Sequence, residues 1–465
     1  MAVMITKNDK GAVLEALRRG EIDTADVSFP NLIDDIIIKM NSIGAIDTLA
    51  EIIGDKRHDN KSIPMNALLA LFIAAKMKIR ASLSDVPYAI SDAEALAEIG
   101  WNFWDSGRNM SEGLMTEGAV RDIVSKYEAN ELVNSYNNYV QGPVFEKMKI
   151  RPNIHILDCT WLEVNIKNAN FEKSEVTKEG KVSARGYKMA SIRGIHGDSG
   201  ILEEIKIGSI KTHDLALSED MLKQSNVFKE NDILINDRGF ISRALINYMK
   251  TVRGVDTYIP LKRNMEAYEM AVSTAKIQDK WSQHPNKKRK GQKIAFAGSL
   301  GAYWISDKPE EDVEINACVV WDTEATDAEQ EYFVFVTTDT NATARQIIKT
   351  YELRPEIEED YRQIKDFWKI ESFKSTKYNF IVFHVVMVLV GYLFYQLFRL
   401  FPEGKEYIGK CLPVAIKKYV PRGTKGVVCY WGASFGIFKF VEFLDIYASL
   451  DAAIRERLRP ILAKA

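Results

Sequence analysis

A chain of 465 residues is too long for a single hydrophobic core and points to roughly two to four domains. With 62 Lys and Arg against 64 Asp and Glu, the formal net charge of −2 excludes a uniformly basic nucleic-acid binder but leaves room for local charge. The four cysteines, Cys159, Cys318, Cys411 and Cys429, lie far apart with no CxxC pair, which argues against zinc and against a disulfide framework and suits a reducing cytosol.

The opening MAVMITKNDKGAV carries no signal-peptide pattern. Residues 1–150 predict a helical N-terminal domain. Apolar residues recur at three- and four-residue spacing in Ala12–Arg19, Leu32–Ile53, Met65–Met77, Ala93–Ile99 and Glu117–Tyr139. Such a domain ahead of a catalytic core could bind DNA or could serve only for packing. The pattern changes at Arg151-Pro152, where Asn153–Asn165, Gly186–Gly194 and Ile201–Gly208 become strand-like. A helix is expected over Asp214–Gln224, capped by Thr212 or Asp214, and then a short apolar strand, Asp232–Asn236, ending at Asp237. Arg238-Gly239-Phe240 turns into a helix over Ile241–Thr251, and Thr257–Leu261 is again a strand. This order predicts an α/β mixed sheet flanked by helices, with its first and fourth strands side by side.

From Lys262 to Glu331 the chain is polar and β-tending, which predicts a β-rich insertion at about 262–330 within a catalytic domain of residues 151–372. The insertion contains Trp281, Trp304, Trp321 and a basic run, NKKRKGQK, that includes Lys287, Lys288, Arg289 and Lys290. A run of this kind is either a solvated loop or a phosphate-binding patch. Tyr332–Thr337 returns to strand and a helix follows over 343–353. Residues 373–465 read as a helical C-terminal region. Within it Asn379–Phe398 is apolar and long enough to cross a bilayer, yet His384, Tyr392 and Gln396 interrupt it, and a buried core helix has the same pattern.

Chemistry concentrates in YELRPEIEEDYRQIK. Tyr351, Arg354, Glu358 and Lys365 are spaced to share one stripe of a helix, bringing a ring, a guanidinium, a carboxylate and an ammonium together. Pro355 interrupts that stripe and predicts a kink or a new helix starting there. Two further acids stand out. Asp158 lies inside the apolar first strand, and Asp237 ends the fourth just before a Gly-containing turn. Taken singly, Asp158 could be a satisfied core polar, Asp237 a cap and Glu358 a solvated helix residue. Taken together, the three carboxylates suit a hard divalent cation. The six histidines are dispersed with no HExxH, and neither a P-loop nor GxSxG occurs.

On these residues the chain resembles the insertion-sequence DDE transposases marked by a Y(2)R(3)E(6)K signature. Tyr351, Arg354, Glu358 and Lys365 match that spacing, while DCT at Asp158–Thr160, GYK at Gly186–Lys188 and DRGF at Asp237–Phe240 match the family's other motifs in order. The resemblance implies an RNase H-like core with a β-rich insertion, in which Asp158, Asp237 and Glu358 are both catalytic and metal-binding. They would hold two Mg²⁺ ions, for which Mn²⁺ can substitute. It further implies double-stranded DNA as partner, both as terminal inverted repeats and as target, with a dimer on DNA, no membrane and a cytoplasmic, nucleoid-associated location. Arg354 and Lys365 would contact phosphates, and Tyr351 a phosphate or an unstacked nucleotide. Trp281 would be the stacking residue of the insertion, and Arg238 either a DNA contact or a helix cap. A nuclease without strand transfer and a silent, DNA-binding derivative are the alternatives.

Overall fold

The computed structural model describes residues 7–464 except 29–30, 58–63, 81, 91, 100–116, 198, 306–311, 328–330, 420–425 and 433. The chain divides into two compact units: Met1–Lys147 with Asn170–Glu172 and Gln363–Ala465, and Met148–Ala169 with Lys173–Arg362. The N-terminal strands are β1 (Lys7–Asn8) and β2 (Thr24–Ser28). The middle of the chain supplies β3 (Ile154–Val164), β4 (Glu175–Glu179), β5 (Val182–His196), β6 (Ser199–Ser209), β7 (Ile233–Asn236) and β8 (Asp256–Pro260). These are followed by β9 (Ser282–Gln283), β10 (Gln292–Ala297), β11 (Asn316–Asp322) and β12 (Tyr332–Thr337), and the C-terminal part adds β13 (Gly426–Trp431) and β14 (Ser434–Lys439).

In the central unit β3 to β12 form one sheet. Its middle runs β6-β5-β3-β7-β8, with β3, β7 and β8 parallel and β5 and β6 antiparallel. Three antiparallel strands followed by two parallel crossovers is the RNase H order, and β3 and β7 are neighbours, as the element order predicts. The strands of the insertion do not form a separate module. β12 pairs antiparallel with β8, and β11, β10 and β9 extend the same sheet outward. The insertion also holds a helix, Glu266–Gln278, whose buried face is Ala267, Ala271 and Ala275 at four-residue spacing. That small-residue stripe lies in a polar setting and is easily passed over when reading for β propensity.

The long β5–β6 hairpin depends on glycine at close approaches. A Cβ on Gly186, the glycine of GYK, would lie 2.1 Å from the carbonyl oxygen of Leu162 on β3. One on Gly200 would collide with the guanidinium of Arg193, at 1.9 Å from Nη2. At the start of β3, buried His155 sits between two carboxylates, with Nδ1 2.7 Å from Glu203 and Nε2 3.2 Å from Asp232. Burial alone would lower the pKa of this imidazole, but Glu203 and Asp232 outweigh it and raise it to about 9. A folded-state pKa above the unfolded value of 6.5 gives stability that is complete below that value and is lost as pH rises through about 9. The loss is on the order of 3 kcal/mol. Thermal midpoints measured from pH 6 to 10 should therefore fall on the alkaline side, and His155→Gln should flatten that fall; an unchanged slope in the variant would contradict the imidazolium assignment.

The other unit contains helices from both ends of the chain, as expected, and in addition a small sheet of order β1-β14-β13-β2. These strands are short and drawn from both ends of the chain, so neither end shows enough alternation to mark them in the sequence. Helix Lys10–Arg19, capped by the Asp9 carboxylate and stopped at left-handed Gly20, buries Val13, Ala16 and Leu17 with Val427, Cys429 and Phe438. Helix Tyr378–Phe398 is long and apolar enough to cross a membrane, but 94% of its most apolar window is buried inside the protein. It packs on Met65–Met77, with the Phe72 and Phe383 rings edge to face at 4.8 Å.

Candidate active site

The register of the two parallel strands brings the first pair of acids together. Leu157 pairs with Asn236, so Asp158 and Asp237 each come one residue beyond the last paired position. The Oδ1 atom of Asp158 accepts a 2.8 Å bond from the Cys159 amide. Asp237 caps the 3₁₀ turn Arg238–Phe240 by accepting from the amide of Arg238.

The third acid arrives on a helix that begins where the chain is forced to restart. Helix Ala344–Tyr351, opened by a Thr343–Gln346 capping box, gives way to a turn, and a second helix, Pro355–Asp366, starts at the proline. Proline is favoured at a first helical position because its missing N–H would have no partner there. The helix is anchored to the sheet by buried polar contacts. Arg193 on β5 donates through Nε to Asp360 at 2.6 Å and pairs with Glu356 at 2.8 Å. The Tyr361 hydroxyl donates to the backbone carbonyl of Asp158 at 2.7 Å and lies 3.0 Å from Ser191 Oγ.

These contacts bring three carboxylates onto one guanidinium. Arg354 Nη2 is 3.0 Å from Asp158 Oδ2 and 3.4 Å from Asp237 Oδ2, and Nη1 pairs with Glu358 Oε1. Burial pushes the Asp158 carboxyl up to about 6, with the Arg354 charge opposing that rise and Asp237 adding to it. Three hard-oxygen donors around a single positive centre are the chemistry a divalent cation requires. As they stand, with the guanidinium between them, no group of three or more His, Cys, Asp or Glu among the described residues has metal-holding spacing. The three donors have the right chemistry for a divalent ion, but to hold one they would have to close in on each other as Arg354 leaves.

Beside the carboxylates a cavity of about 600 Å³ is lined by Tyr351, Arg354, Phe333, Phe335, Arg289 and Glu352, among others. Tyr351 packs on Phe335 with ring centroids 4.7 Å apart, and burial, then Asp237, pushes its hydroxyl up to about 12. The basic run forms an exposed turn between β9 and β10. Lys287, Lys288 and Lys290 are exposed, and Arg289 reaches Glu352 at the cavity wall, 3.4 Å away. Arg238 is also exposed, one residue from Asp237. Trp281 is not among the cavity's lining residues; it packs against Trp321 and Tyr332 at 5.2 and 6.3 Å. Lys365 lies further along the helix of Glu358, in the part assigned to the other unit, and pairs with Glu371 at 3.3 Å.

Several neighbours of the site escaped the sequence reading. They are Arg193, Asp360 and Tyr361; Lys188, already marked by the GYK motif, pairs with Asp214 at 2.6 Å, and the charge of Asp214 acts on both Asp158 and Cys159. A charged residue inside an apolar strand, as in MASIRGI, is the signal that singled out Asp158 and applies equally to Arg193. The cap of helix Asp214–Gln224 is His213, whose ring nitrogen accepts from the Leu215 amide, and neither Thr212 nor Asp214. Residues 166–394 match the family model described as a transposase DDE domain. No curated protein matches the chain.

Proposed function

We propose that this chain, which belongs to the transposase DDE domain family, is a cut-and-paste transposase that hydrolyses a phosphodiester at each end of an insertion sequence and joins the freed 3′-OH to target DNA. Enzymes of this family act on DNA and generally use divalent metal ions. The observation that carries the reading is the convergence of Asp158, Asp237 and Glu358 on the Arg354 guanidinium. Those three carboxylates would hold Mg²⁺, or Mn²⁺ in its place, as a pair of ions. Bound there, the ions would supply activation of the attacking oxygen and stabilisation of the leaving one.

The chain's own contribution is charge balance and positioning. Arg354 offsets part of the carboxylates' charge in the free protein and, on leaving them, would be free to contact the phosphates of a DNA strand laid across the site. Tyr351 and the aromatic wall formed by Phe333 and Phe335 offer stacking surface for a nucleotide unstacked near the cleaved bond. Arg238, Lys365, Lys287, Lys288, Arg289 and Lys290 are assigned to phosphate contacts, which position DNA without reading its sequence. Trp281 keeps a stacking role only if DNA binding draws it out from Trp321 and Tyr332. Two DNA ends call for two active sites, which favours a dimer on DNA.

The test is a plasmid carrying the coding sequence with its flanking DNA, incubated with the protein and Mg²⁺ or Mn²⁺. Excised linear product and products joined to a second plasmid are expected. Nicks or double-strand breaks without joining would favour the nuclease reading, and metal-independent cleavage would sink both. The counter-ion role of Arg354 has its own test. Arg354→Gln should bind Mn²⁺ in the absence of DNA at least about tenfold more tightly by calorimetric titration, because a competing internal cation has been removed. Unchanged or weaker binding would show that Arg354 does not compete with metal.

A further inference from the structure

The two most apolar helices of the terminal unit each carry a buried polar residue, and both residues open onto one cavity of about 170 Å³. Lys76 is the cation near the end of Met65–Met77 and is 3% exposed, and His384 breaks the apolar run of Tyr378–Phe398 and is 9% exposed. Arg121, Lys374, Ser82 and Ser375 complete the polar lining. None of the described residues lining the cavity carries a carboxylate.

Three cations and two hydroxyls make a donor-rich wall, which selects an oxyanion. His384 narrows the choice. Its Nε2 has no hydrogen-bond partner, while backbone carbonyls of Ile370 and Lys369 face the ring. Burial and then the Lys76 charge hold this imidazole neutral, with a pKa near 3. A neutral ring donating to backbone through its other nitrogen leaves Nε2 as an acceptor. The ligand must therefore accept from the cations and donate one hydrogen bond of its own. Monohydrogen phosphate and phosphate monoesters in their monoprotonated form do both. Sulfate and phosphodiesters carry no proton near neutral pH and can only accept.

We propose that this cavity is a binding site for a protonated tetrahedral phosphate, either inorganic phosphate or a phosphate monoester, held by Lys76, Arg121 and Lys374 and recognised through its P–OH by His384. The site stands apart from Asp158, Asp237 and Glu358 in the chain and does not depend on the reading given to them. Burial lowers the pKa of Lys76 to about 8, against the charge of Asp85, and a bound dianion would favour its ammonium form. The Lys76 ammonium already donates to the Arg80 carbonyl at 3.4 Å, so it is held at the cavity.

The test is calorimetry on the full chain with inorganic phosphate and with sulfate at matched ionic strength. Phosphate is expected to bind with a Kd below about 1 mM and sulfate at least about tenfold more weakly. Lys76→Met, and separately the exposed pair Arg121→Gln with Lys374→Gln, should each weaken phosphate at least about tenfold. The second variant decides the matter if the first fails to fold. His384→Leu, which has no acceptor, should reduce the preference for phosphate over sulfate more than it reduces sulfate binding itself. Displacement of phosphate by a 5′-phosphorylated oligonucleotide but not by its 5′-hydroxyl counterpart would assign the monoester end of a DNA strand; no displacement would assign the free ion. Equal, weak binding of phosphate and sulfate, unaltered in the charge variants, would overturn the proposal.

Discussion

Asp158→Asn, Asp237→Asn and Glu358→Gln are each expected to lower strand cleavage by about 10³-fold or more while leaving affinity for end DNA within about threefold. Each change removes one charge and keeps shape. In Asp158→Asn the amide oxygen can still accept from Cys159, so the local strand geometry persists. What is lost is a hard anionic donor, and a neutral amide does not replace a carboxylate in a set of three. Affinity should hold because these residues are acidic and repel DNA phosphates; removing one lowers that repulsion. Gel-shift and cleavage assays on the same DNA measure the two quantities separately. Wild-type cleavage by all three variants would remove the site from the account.

Arg193→Met should cost about 3–5 kcal/mol of stability, because it leaves Asp360, 5% exposed, charged in the interior without its principal cation. The consequence for catalysis follows from position. Asp360 and Tyr361 lie two and three residues after Glu358 on the same helix, and Tyr361 bonds the backbone of Asp158 itself. Loosening this anchor lets Glu358 drift relative to Asp158, so residual cleavage by any folded fraction should fall as well. Pairing Arg193→Met with Asp360→Leu removes both charges and should recover much of the stability, as replaced ion pairs often do. Tyr361→Phe should cost only about 1 kcal/mol. A single Arg193→Met with the wild-type unfolding free energy would contradict the anchoring role; urea melts of the four proteins give the comparison.

The parts of this fold that are legible in the sequence are those carried by periodicity and order along the chain. The apolar run before Asp158 sets that acid inside the first predicted strand, the short run before Asp237 sets the other at the end of the fourth, and the element order makes those strands neighbours. Pro355 correctly marks a helix start, because its ring forbids continuation of the preceding helix. What escapes is whatever depends on distant partners. Arg193 acquires its meaning from Asp360, 167 residues away, and from the space left by Gly200. Trp281 and Tyr351 look equally available in the sequence, yet only Tyr351 lines the cavity beside the carboxylates. Arg354, read as a phosphate contact, is found on the carboxylates, since in the free protein they are the strongest anions within its reach.

The most direct test of the central assignment does not require DNA once the competing guanidinium is removed, so it is made in Arg354→Gln, with Asp158→Asn added to that background as the control. Fe²⁺ can replace Mg²⁺ in an oxygen-donor site, and with ascorbate and peroxide it cuts the nearby backbone. Asp158, Asp237 and Glu358 surround one centre, so fragments ending near residues 158, 237 and 358 should appear together, be suppressed by excess Mg²⁺, and disappear together in the double variant. Cleavage confined to other parts of the chain, or an unchanged pattern in the double variant, would contradict a shared metal site at these three carboxylates.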